Sequence, residues 1–584
     1  MTDMSSAPID APTVCEAFQR TVAEHPDRVA LRTLDDSVSL TWTEMAARVE
    51  SIARGLAALG VGKGDTVAML IPNIPECHLV DFAAAHLGAV PFTIYNTTSE
   101  EQIAYQVENA GARVLVTAED FLSKVGAVEH VISVDGDGGT MTFAELEAGG
   151  DPGFDYEAAW RGVEAEDLVT MIYTSGTTGP PKGAQWANRT IMSQLRSLAA
   201  ELPLPSENTI SFLPMAHAGG RITSHYMALV HGATNTVCPD MRELPKYLAS
   251  VHPDVLFAVP RLWEKFQVAI EAMAEGSEDA KRCIVVGLER ARSMDAGSDV
   301  DPDTAAELES EHQEKVQAIA PILERIGLDR LKVAFVGGAP CSPEVVRFFR
   351  AVDVPLLEAY GSTECSLNIF NRIEEFKTAT AGRALPDVEL DVAEDGELLV
   401  RGPLNFVSYR NDPEKTAETI DADGWVHTGD IVEIDDEGYV KIVDRKKEII
   451  ISSAGKNMSP ANIEGAIKGE STLIGQVVTI GDGRKFNSAL LTLDAEAAPV
   501  YAKRLGLDGA SLEELAEAPA IRAEIDRAIE AGNARLARPE HVRKYTLLGE
   551  AWAPDSDELT PTLKLKRREI NKKYTEQIEA MYAE

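Results

Sequence analysis

The residues best suited to do chemistry lie in the stretch YTSGTTGPPKGA, residues 173–184. Closely spaced glycines let a backbone approach a ligand, and the N–H groups of such a loop form a concave site for phosphate oxygens. Hydroxyl side chains add hydrogen-bond donors, and a lysine adds a mobile positive charge. The stretch therefore predicts a phosphate-binding loop made by Thr174, Ser175, Gly176, Thr177, Thr178, Gly179 and Lys182.

This loop differs from a Walker A motif, which needs a Gly-Lys-Ser/Thr sequence at the start of a helix. Here Lys182 lies between Pro181 and Gly183. A short apolar run, residues 168–172, precedes the loop and is typical of a buried strand. The phosphate site is therefore expected at the end of a strand and not at the start of a Walker-type helix.

Alternating strands and helices must position this loop. Residues 41–60 have a helical apolar pattern and begin with a capping-box pair, Thr41 and Glu44. The alternation continues with a strand over 67–71, a helix over 75–87, a strand over 90–94, a helix over 100–109, and strands over 114–117 and 131–134. Such alternation over about 240 residues predicts an α/β fold with a layered, largely parallel sheet.

The composition excludes several classes of partner. The chain has 584 residues and a formal net charge of -39. A nucleic-acid-binding protein needs a basic face, and docking on anionic lipid needs basic clusters. We therefore predict no nucleic-acid partner, and any polyanionic substrate must bind at a local positive site such as Lys182.

Cysteine usage and hydropathy indicate the compartment. The six cysteines are scattered, with no CxxC pair and no histidine cluster at metal-ligand spacing. The N-terminus lacks a signal-peptide pattern, and no apolar run approaches the ~20 residues that would span a bilayer. The sequence predicts a cytoplasmic protein without an integral membrane segment.

Two more strands lead into short turns. The turn GGAP, residues 337–340, follows an apolar run over 331–336, and YGSTE, residues 360–364, follows a run over 356–360. In α/β sheets the turns at the carboxyl ends of strands hold ligands. Both turns are therefore expected beside the phosphate loop.

The phosphate loop resembles that of adenylate-forming enzymes, which include acyl-CoA synthetases, luciferases and peptide-synthetase adenylation domains. Further blocks follow in the order of that family, from about Pro26 to about Lys572: SFLPMAHA (211–218), PDVLFAVPRLWEKF (253–266), YGSTE, HTGD (427–430), DRKKE (444–448) and LTPTLKLKRREI (559–570). The block at 253–266 is typical of long-chain fatty acyl-CoA synthetases. The chain is thus identified as similar to an AMP-forming acyl-CoA synthetase of the long-chain fatty acid type.

The resemblance implies two domains of the adenylate-forming fold. A large, multi-sheet N-terminal adenylation domain over residues 1–443 would bind ATP and the acyl group. A small, mobile α/β domain over residues 444–584 would carry the catalytic lysine and give CoA access. The hinge would lie at residues 444–448, with Lys447 as the pivot.

The resemblance also implies roles for individual residues. Tyr360 would stack on adenine, Thr363 would contact the α-phosphate, and Glu364 would hold Mg²⁺ together with Thr174. Asp430 and Arg445 would bind the ribose. The wall of the nucleotide site would be completed by Gly338, Ala339, Pro340, Glu358, Ala359, Gly361 and Ser362.

Lys564 takes the position of the family's catalytic lysine, which bridges the substrate carboxylate and the α-phosphate. His217 would lie beside the acyl site, and Ser453 and Gly455 would border the CoA channel. Long-chain members often carry Glu before the arginine that follows this histidine, whereas Gly220 precedes Arg221 here. This departure puts the role of His217 in question.

ATP and CoA are the expected co-substrates, Mg²⁺ the expected cofactor, and a fatty acid the expected acid. Rival interpretations are an acyl-AMP ligase, a carrier-protein-loading enzyme, a CoA ligase for a bulky non-fatty acid, and a non-catalytic nucleotide-binding relative. The sequence leaves the acyl chain length open. Trp186 and Trp263 could line a pocket, but buried aromatic residues mostly serve packing. A homodimer would be consistent with the family.

Overall fold

The computed structural model describes residues 6–174, 180–202, 207–295, 300–453, 456–553, 556–560 and 564–583. Six of the candidate site residues lie outside the described residues: Ser175, Gly176, Thr177, Thr178, Gly179 and Gly455.

The strands of the described residues are β1 (Val29–Arg32), β2 (Ser39–Thr41), β3 (Thr66–Leu70), β4 (Val90–Thr93), β5 (Val114–Thr117), β6 (His130–Ser133), β7 (Met141–Thr142), β8 (Leu168–Thr174), β9 (Lys182–Ala187), β10 (Asn208–Ser211), β11 (Thr234–Val237), β12 (Val255–Ala258), β13 (Val333–Val336), β14 (Leu356–Ser362), β15 (Ser366–Phe370), β16 (Arg383–Ala384), β17 (Glu389–Val392), β18 (Glu397–Arg401), β19 (Ser408–Tyr409), β20 (Val426–Ile434), β21 (Val440–Arg445), β22 (Ile450–Ile451), β23 (Asn457–Met458), β24 (Ile474–Ile480), β25 (Asn487–Leu493) and β26 (Val542–Leu548).

The α-helices are α1 (Val14–Glu24), α2 (Trp42–Ala58), α3 (Pro75–His86), α4 (Glu100–Ala110), α5 (Phe143–Ala148), α6 (Tyr156–Arg161), α7 (Asn188–Glu201), α8 (Ala218–Gly220), α9 (Met227–Val230), α10 (Leu244–Val251), α11 (Pro260–Ala274), α12 (Glu278–Ser293), α13 (Pro302–Lys315), α14 (Ala320–Ile326), α15 (Pro343–Ala351), α16 (Pro413–Thr419), α17 (Pro460–Lys468), α18 (Ala497–Arg504), α19 (Leu512–Glu517), α20 (Pro519–Ala534), α21 (Arg567–Lys573) and α22 (Thr575–Tyr582). A π-helical turn, Arg221–Tyr226, joins α8 to α9.

The predicted parallel sheet is confirmed. Five strands lie in the order β4-β3-β5-β6-β7, and every pairing among them is parallel. Helix α2 begins with the predicted capping box, in which Thr41 and Glu44 satisfy each other's backbone N–H groups. The apolar strands pack into a buried core because both faces of a parallel sheet are covered by helices.

A second five-stranded sheet, in the order β12-β13-β14-β15-β16, carries the two ligand turns. Strand β14 pairs in parallel with β13 through its first half and antiparallel with β15 through its second half. Because of this second pairing, Tyr360, Gly361 and Ser362 belong to the strand and not to a turn after it. The sequence-based expectation of a strand ending at Tyr360 is therefore corrected.

The predicted phosphate loop connects the strands of a hairpin. Strand β8 pairs antiparallel with β9, and Thr174 lies opposite Lys182. Strand β19 adds to the other edge of β9, with Tyr409 opposite Ala184. The two ends of the loop are thus held side by side, whatever path the intervening residues take.

The C-terminal part has its own sheet and its own core. Strands β24, β25 and β26 form a three-stranded sheet, and helices α17 and α20 pack together beside it. Their apolar residues form a cluster separate from the cores of the preceding chain. Among the described residues, the helices are all too short or too polar to cross a bilayer.

Candidate active site

One large cleft, with a volume of about 2850 Å³, lies between the N-terminal and C-terminal parts. The structure brings to it every described candidate except Ser453. The candidates that line it are Thr174, Lys182, His217, Gly338, Ala339, Pro340, Glu358, Ala359, Tyr360, Gly361, Ser362, Thr363, Glu364, Asp430, Arg445, Lys447 and Lys564. Ser453 is exposed outside this lining, and its N–H donates to the Arg484 carbonyl.

Strand pairing places Asp430 and Arg445 together. The two residues lie opposite each other in the antiparallel pair β20–β21, and Arg445 Nε lies 2.8 Å from Asp430 Oδ1. The hydroxyl of Tyr360 donates to Asp430 Oδ2 at 2.5 Å. Burial raises the pKa of Asp430, although the charge of Arg445 and the Tyr360 hydrogen bond oppose the shift. The carboxylate is thus held between two donors and can accept hydrogen bonds from a diol.

Lys564 belongs to the C-terminal part of the chain and lies among both positive and negative side chains. Its side chain lines the cleft, where protein groups replace much of the surrounding water, and its neighbours include Arg445, Asp430 and Glu364. Loss of surrounding water and repulsion by Arg445 lower the pKa of Lys564, while the two carboxylates partly restore it. A lysine in this position is suited to bind an anion that arrives between these groups.

His217 ends the segment that follows β10 and caps the short helix α8. Its Nδ1 accepts the Gly219 N–H at 3.0 Å, which fixes the ring. Burial, followed by the charge of Lys564, lowers the pKa of His217 to about 4. The imidazole is therefore neutral at pH 7 and faces the same cleft as the lysine.

Tyr409 is a site residue that sequence reasoning missed. Its hydroxyl donates to Glu364 Oε1 at 2.6 Å, and the ammonium of Lys182 lies 4.3 Å from the centre of its ring. Tyr409 thus joins Lys182 of the predicted phosphate loop to Glu364, the candidate metal-binding carboxylate. It lies in the SYRNDPEKT segment, but only the pairing of β19 with β9 brings it to the site.

The two tryptophans pack in the core, in agreement with the interpretation favoured from sequence. Both are fully buried. Trp186 Nε1 donates to the Thr363 carbonyl at 2.8 Å, and Trp263 Nε1 donates to the Phe335 carbonyl at 3.1 Å. Trp186 therefore supports the backbone of the YGSTE segment rather than lining a pocket.

Ion pairs across the cleft were also not predicted. Helix α11 contributes Arg261, which pairs with Asp494 of the C-terminal part. Lys265 pairs with Glu496 at 2.6 Å, and Lys468 pairs with Glu264 of the same helix at 3.3 Å. These contacts connect helix α11 to the C-terminal part in the arrangement that has Lys564 in the cleft.

The residues available for Mg²⁺ suit a metal that arrives with a nucleotide. Glu364 offers a carboxylate and Thr174 a hydroxyl, and both line the cleft near Lys182. Oxygen ligands of this kind are the ones Mg²⁺ prefers, with substrate phosphates completing its shell. Among the described residues, there is no cluster of three or more His, Cys, Asp or Glu that could hold a metal alone. The donor set therefore fits a metal shared with phosphate.

Comparisons with known proteins agree with this arrangement. A family model described as AMP-binding enzyme matches residues 18–410, and one described as AMP-binding enzyme C-terminal domain matches residues 447–584. A putative fatty-acid–CoA ligase, fadD11 of Mycobacterium tuberculosis, is 40% identical over 76% of this chain and 79% of its own. The long-chain-fatty-acid–CoA ligase FadD15 of Mycobacterium bovis is 33% identical over 96% of this chain and 95% of its own.

Solved structures share the fold. The adenylation domain of a carboxylate reductase from Mycobacterium chelonae has a TM-score of 0.74 at 23% identity, over 99% of this chain and 92% of that one. An anthranilate CoA ligase, AuaEII, has a TM-score of 0.73 at 18% identity, over 98% of this chain and 100% of that one. Family models match both parts of the chain, and the motif residues of both parts line one cleft. The chain therefore belongs to the AMP-binding, adenylate-forming enzyme family.

Proposed function

We propose that this protein is an AMP-forming acyl-CoA synthetase that activates a fatty acid, with a long-chain acid as the preferred substrate. The relatives described above are named fatty-acid–CoA ligases, and one of them is matched over nearly its whole length. The observation that carries the proposal is the placement of Lys564, from the C-terminal part, in the same cleft as Asp430, Arg445 and Glu364.

The first step joins two anions. An oxygen of the fatty carboxylate attacks the α-phosphorus of ATP, the bond to the bridging oxygen of pyrophosphate breaks, and acyl-AMP and pyrophosphate result. Lys564 lies where its ammonium can bind both the carboxylate and the α-phosphate. Preorganised charge of this kind is usually a large part of catalysis.

The nucleotide is oriented by the residues around Tyr360. Asp430 and Arg445 bind the ribose diol, Tyr360 packs against the base, and Thr363 contacts the α-phosphate. Pyrophosphate lies against the loop that begins at Thr174, with Lys182 beside it. Glu364 and Thr174 would hold Mg²⁺, and the metal, when bound, would supply positive charge to the phosphates.

In the second step, the CoA thiol must reach the acyl-adenylate by a different route from the one that ATP takes. The thiol sulfur of CoA attacks the acyl carbonyl, the bond to the phosphate oxygen of AMP breaks, and the thioester and AMP leave. We place the domain boundary between residues 443 and 444, with Lys447 as the pivot about which the C-terminal domain turns. Ser453 and Gly455 would then border the CoA channel. Hinge motion of this kind is a common way to gate two half-reactions.

Pyrophosphate release tests the proposal. Saturated acids of increasing chain length are assayed with and without CoA, using the wild type, Lys564→Ala and the control Lys572→Ala. Lys572 is an exposed lysine of helix α21 that does not line the cleft. We expect release to peak at long chains, to yield AMP and thioester only with CoA, and to be lost in Lys564→Ala alone.

Other outcomes would change the assignment. Acyl-adenylate accumulating in the presence of CoA would indicate an acyl-AMP ligase or an enzyme that loads a carrier protein. Release with bulky ring acids but not with fatty acids would shift the substrate class. The absence of release with every acid would contradict the proposed activity.

A further inference from the structure

Arg567 is a mostly buried arginine that the reaction described above does not use. It is the first residue of helix α21 and follows Lys564 by three positions. Its guanidinium donates to both oxygens of Glu464, with Nη1 2.6 Å from Oε1 and Nη2 2.8 Å from Oε2. Its Nε donates to Glu448 Oε2 at 3.1 Å. One guanidinium, 18% of whose side chain is exposed, thus binds two carboxylates at once.

Glu464 gives this arginine a rigid support. It lies on helix α17, and its Oε1 also accepts the backbone N–H of Thr479 in β24 at 2.7 Å. A bidentate contact between an arginine and a carboxylate fixes the orientation of both groups. Arg567 is therefore fastened to the sheet of the C-terminal part.

Glu448 is the more exposed of the two partners and lies near the candidate catalytic lysine. It directly follows Lys447, and its N–H donates to the Arg445 carbonyl at 2.9 Å. Its side chain lines the same cleft as Lys564. Burial and the charge of Arg445 lower the pKa of Lys564, and Glu448 is among the carboxylates that oppose this shift. A carboxylate in this place can compete with substrate anions for the ammonium.

The other carboxylates near the lysine also have partners on the protein. The charged and titratable groups around Lys564 are Arg445, Asp430, Glu364, Glu448 and His217. Of the three carboxylates in this set, the first is paired with Arg445, the second accepts a hydrogen bond from Tyr409, and the third is bound by Arg567. Each carboxylate is therefore occupied by a group other than the lysine.

We infer that Arg567 is a positioning residue for acyl-adenylate formation: by holding Glu448 in a fixed ion pair, it leaves the ammonium of Lys564 available to the fatty carboxylate and the α-phosphate. Arg567 acts through the lysine and not on the substrates. The inference rests on the proposed function, because it concerns the lysine that joins the two anions in that reaction.

Loss of the guanidinium has a specific kinetic consequence. In Arg567→Gln, Glu448 becomes free to pair with Lys564, and this pair must break before the fatty acid binds. A contact that competes with the substrate in the free enzyme raises KM, whereas loss of the lysine from its place would lower kcat. Because hydrogen bonds to charged groups are among the stronger ones, we expect KM for the acid in ATP–pyrophosphate exchange to rise about 10-fold, with kcat changed less than about twofold.

A double variant tests whether Glu448 is the competing group. Arg567→Gln combined with Glu448→Gln removes the competing carboxylate, so KM should return to within about twofold of the wild-type value. Arg567→Lys keeps a positive charge beside Glu448. It should therefore lie between the wild type and Arg567→Gln, and it serves if the glutamine variant does not fold.

Arg527→Gln is the matched control. Arg527 also binds a carboxylate of the C-terminal part, since its Nε and Nη2 donate to the two oxygens of Glu524 at 2.8 Å and 2.7 Å. It is not among the described residues that line the cleft. Arg527→Gln should leave both kinetic constants unchanged.

A measurement without turnover separates the inference from the proposed function. The rate at which acetic anhydride acetylates Lys564 is followed by mass spectrometry, with the exposed Lys572 as the internal reference. An unpaired carboxylate beside a lysine favours the ammonium over the reactive amine. Lys564 should therefore be acetylated several-fold more slowly in Arg567→Gln than in the wild type, and the double variant with Glu448→Gln should recover the rate.

An unchanged acetylation rate of Lys564 in folded Arg567→Gln would overturn the inference. So would a fall in kcat that the double variant does not recover. If the wild type exchanges pyrophosphate with no acid, the proposed activity fails, and the acetylation rates still decide whether Arg567 keeps Glu448 from the lysine.

Discussion

Replacing Tyr409 with phenylalanine removes one hydroxyl from the candidate active site and keeps the ring. The hydroxyl donates to Glu364 Oε1 at 2.6 Å, and the ring lies 4.3 Å from the Lys182 ammonium. Tyr409→Phe therefore breaks the hydrogen bond to the carboxylate and preserves the contact with the lysine. Tyr409→Leu breaks both.

The surroundings of the Tyr409 hydroxyl determine how much activity Tyr409→Phe should lose. A hydrogen bond to a charged group contributes about 1.5–3 kcal/mol. Glu364 is only partly buried, so water can replace the lost donor and the lower end of the range applies. A loss of about 1.5 kcal/mol corresponds to about a tenfold lower kcat/KM for ATP. Tyr409→Leu should lose a further ~0.5–1 kcal/mol from the cation–π contact.

The assay is ATP–pyrophosphate exchange over a range of Mg²⁺ concentrations. If Tyr409 positions Glu364, the phenylalanine variant needs more Mg²⁺ for half-maximal rate and keeps its melting temperature. Tyr439→Phe is the matched control, because that ring also lies under a lysine, Lys377, but outside the cleft lining. An unchanged Mg²⁺ requirement in Tyr409→Phe, or an equal change in Tyr439→Phe, would refute the reasoning.

Three further predictions concern charge. Arg261→Ala breaks the ion pair with Asp494 and should raise the barrier to acyl-adenylate formation by about 1 kcal/mol, which slows that step several-fold. Thioester formation from added acyl-AMP should be unchanged. Equal slowing of both half-reactions would contradict this prediction. The pKa of Lys564 is lowered, so its ammonium loses its proton as pH rises through a value below the ordinary ~10.4. The alkaline limb of the pH profile of kcat/KM should therefore begin at a lower pH than for an ordinary lysine. Lys564→Arg should lack that limb in its residual activity, because arginine stays protonated. A limb at the ordinary lysine value would be inconsistent. Arg221→Met removes the guanidinium that pairs with the buried Asp81 and leaves this carboxylate with His225, whose Nε2 lies 3.0 Å from Asp81 Oδ1. Because breaking a buried pair costs about 3–5 kcal/mol, we expect a loss toward the lower end of that range in urea unfolding, with recovery in the double variant carrying Asp81→Asn. A loss below about 1 kcal/mol would contradict the assignment of a buried pair.

Much of the chemistry was predictable from local sequence. The loop composition around Lys182, the strand before it and the order of the later motifs identified the family, which the comparisons confirm. The capping box at Thr41 and the parallel sheet were also predicted correctly. Glycine density, apolar periodicity and helix caps are properties of short segments, so they can be read before the chain folds.

Other features depend on which strands pair and which parts face each other. The register of β20 with β21 places Asp430 against Arg445, and the addition of β19 to β9 brings Tyr409 to Glu364. Local patterns carry no information about such partners, because pairing is decided by packing over the whole domain. The end of β14 was misjudged for the same reason, since its second half is stabilised by β15.

The sequence by itself determined which groups are candidates for the site: a predicted phosphate loop, a candidate catalytic lysine at Lys564, and carboxylates proposed for ribose and metal. Only the tertiary structure decided that Lys564 lines the same cleft as Asp430 and Glu364, and that Ser453 lies apart from the other described candidates. Charge, burial and distance are set by residues far apart in the chain, and these three quantities govern pKa and binding.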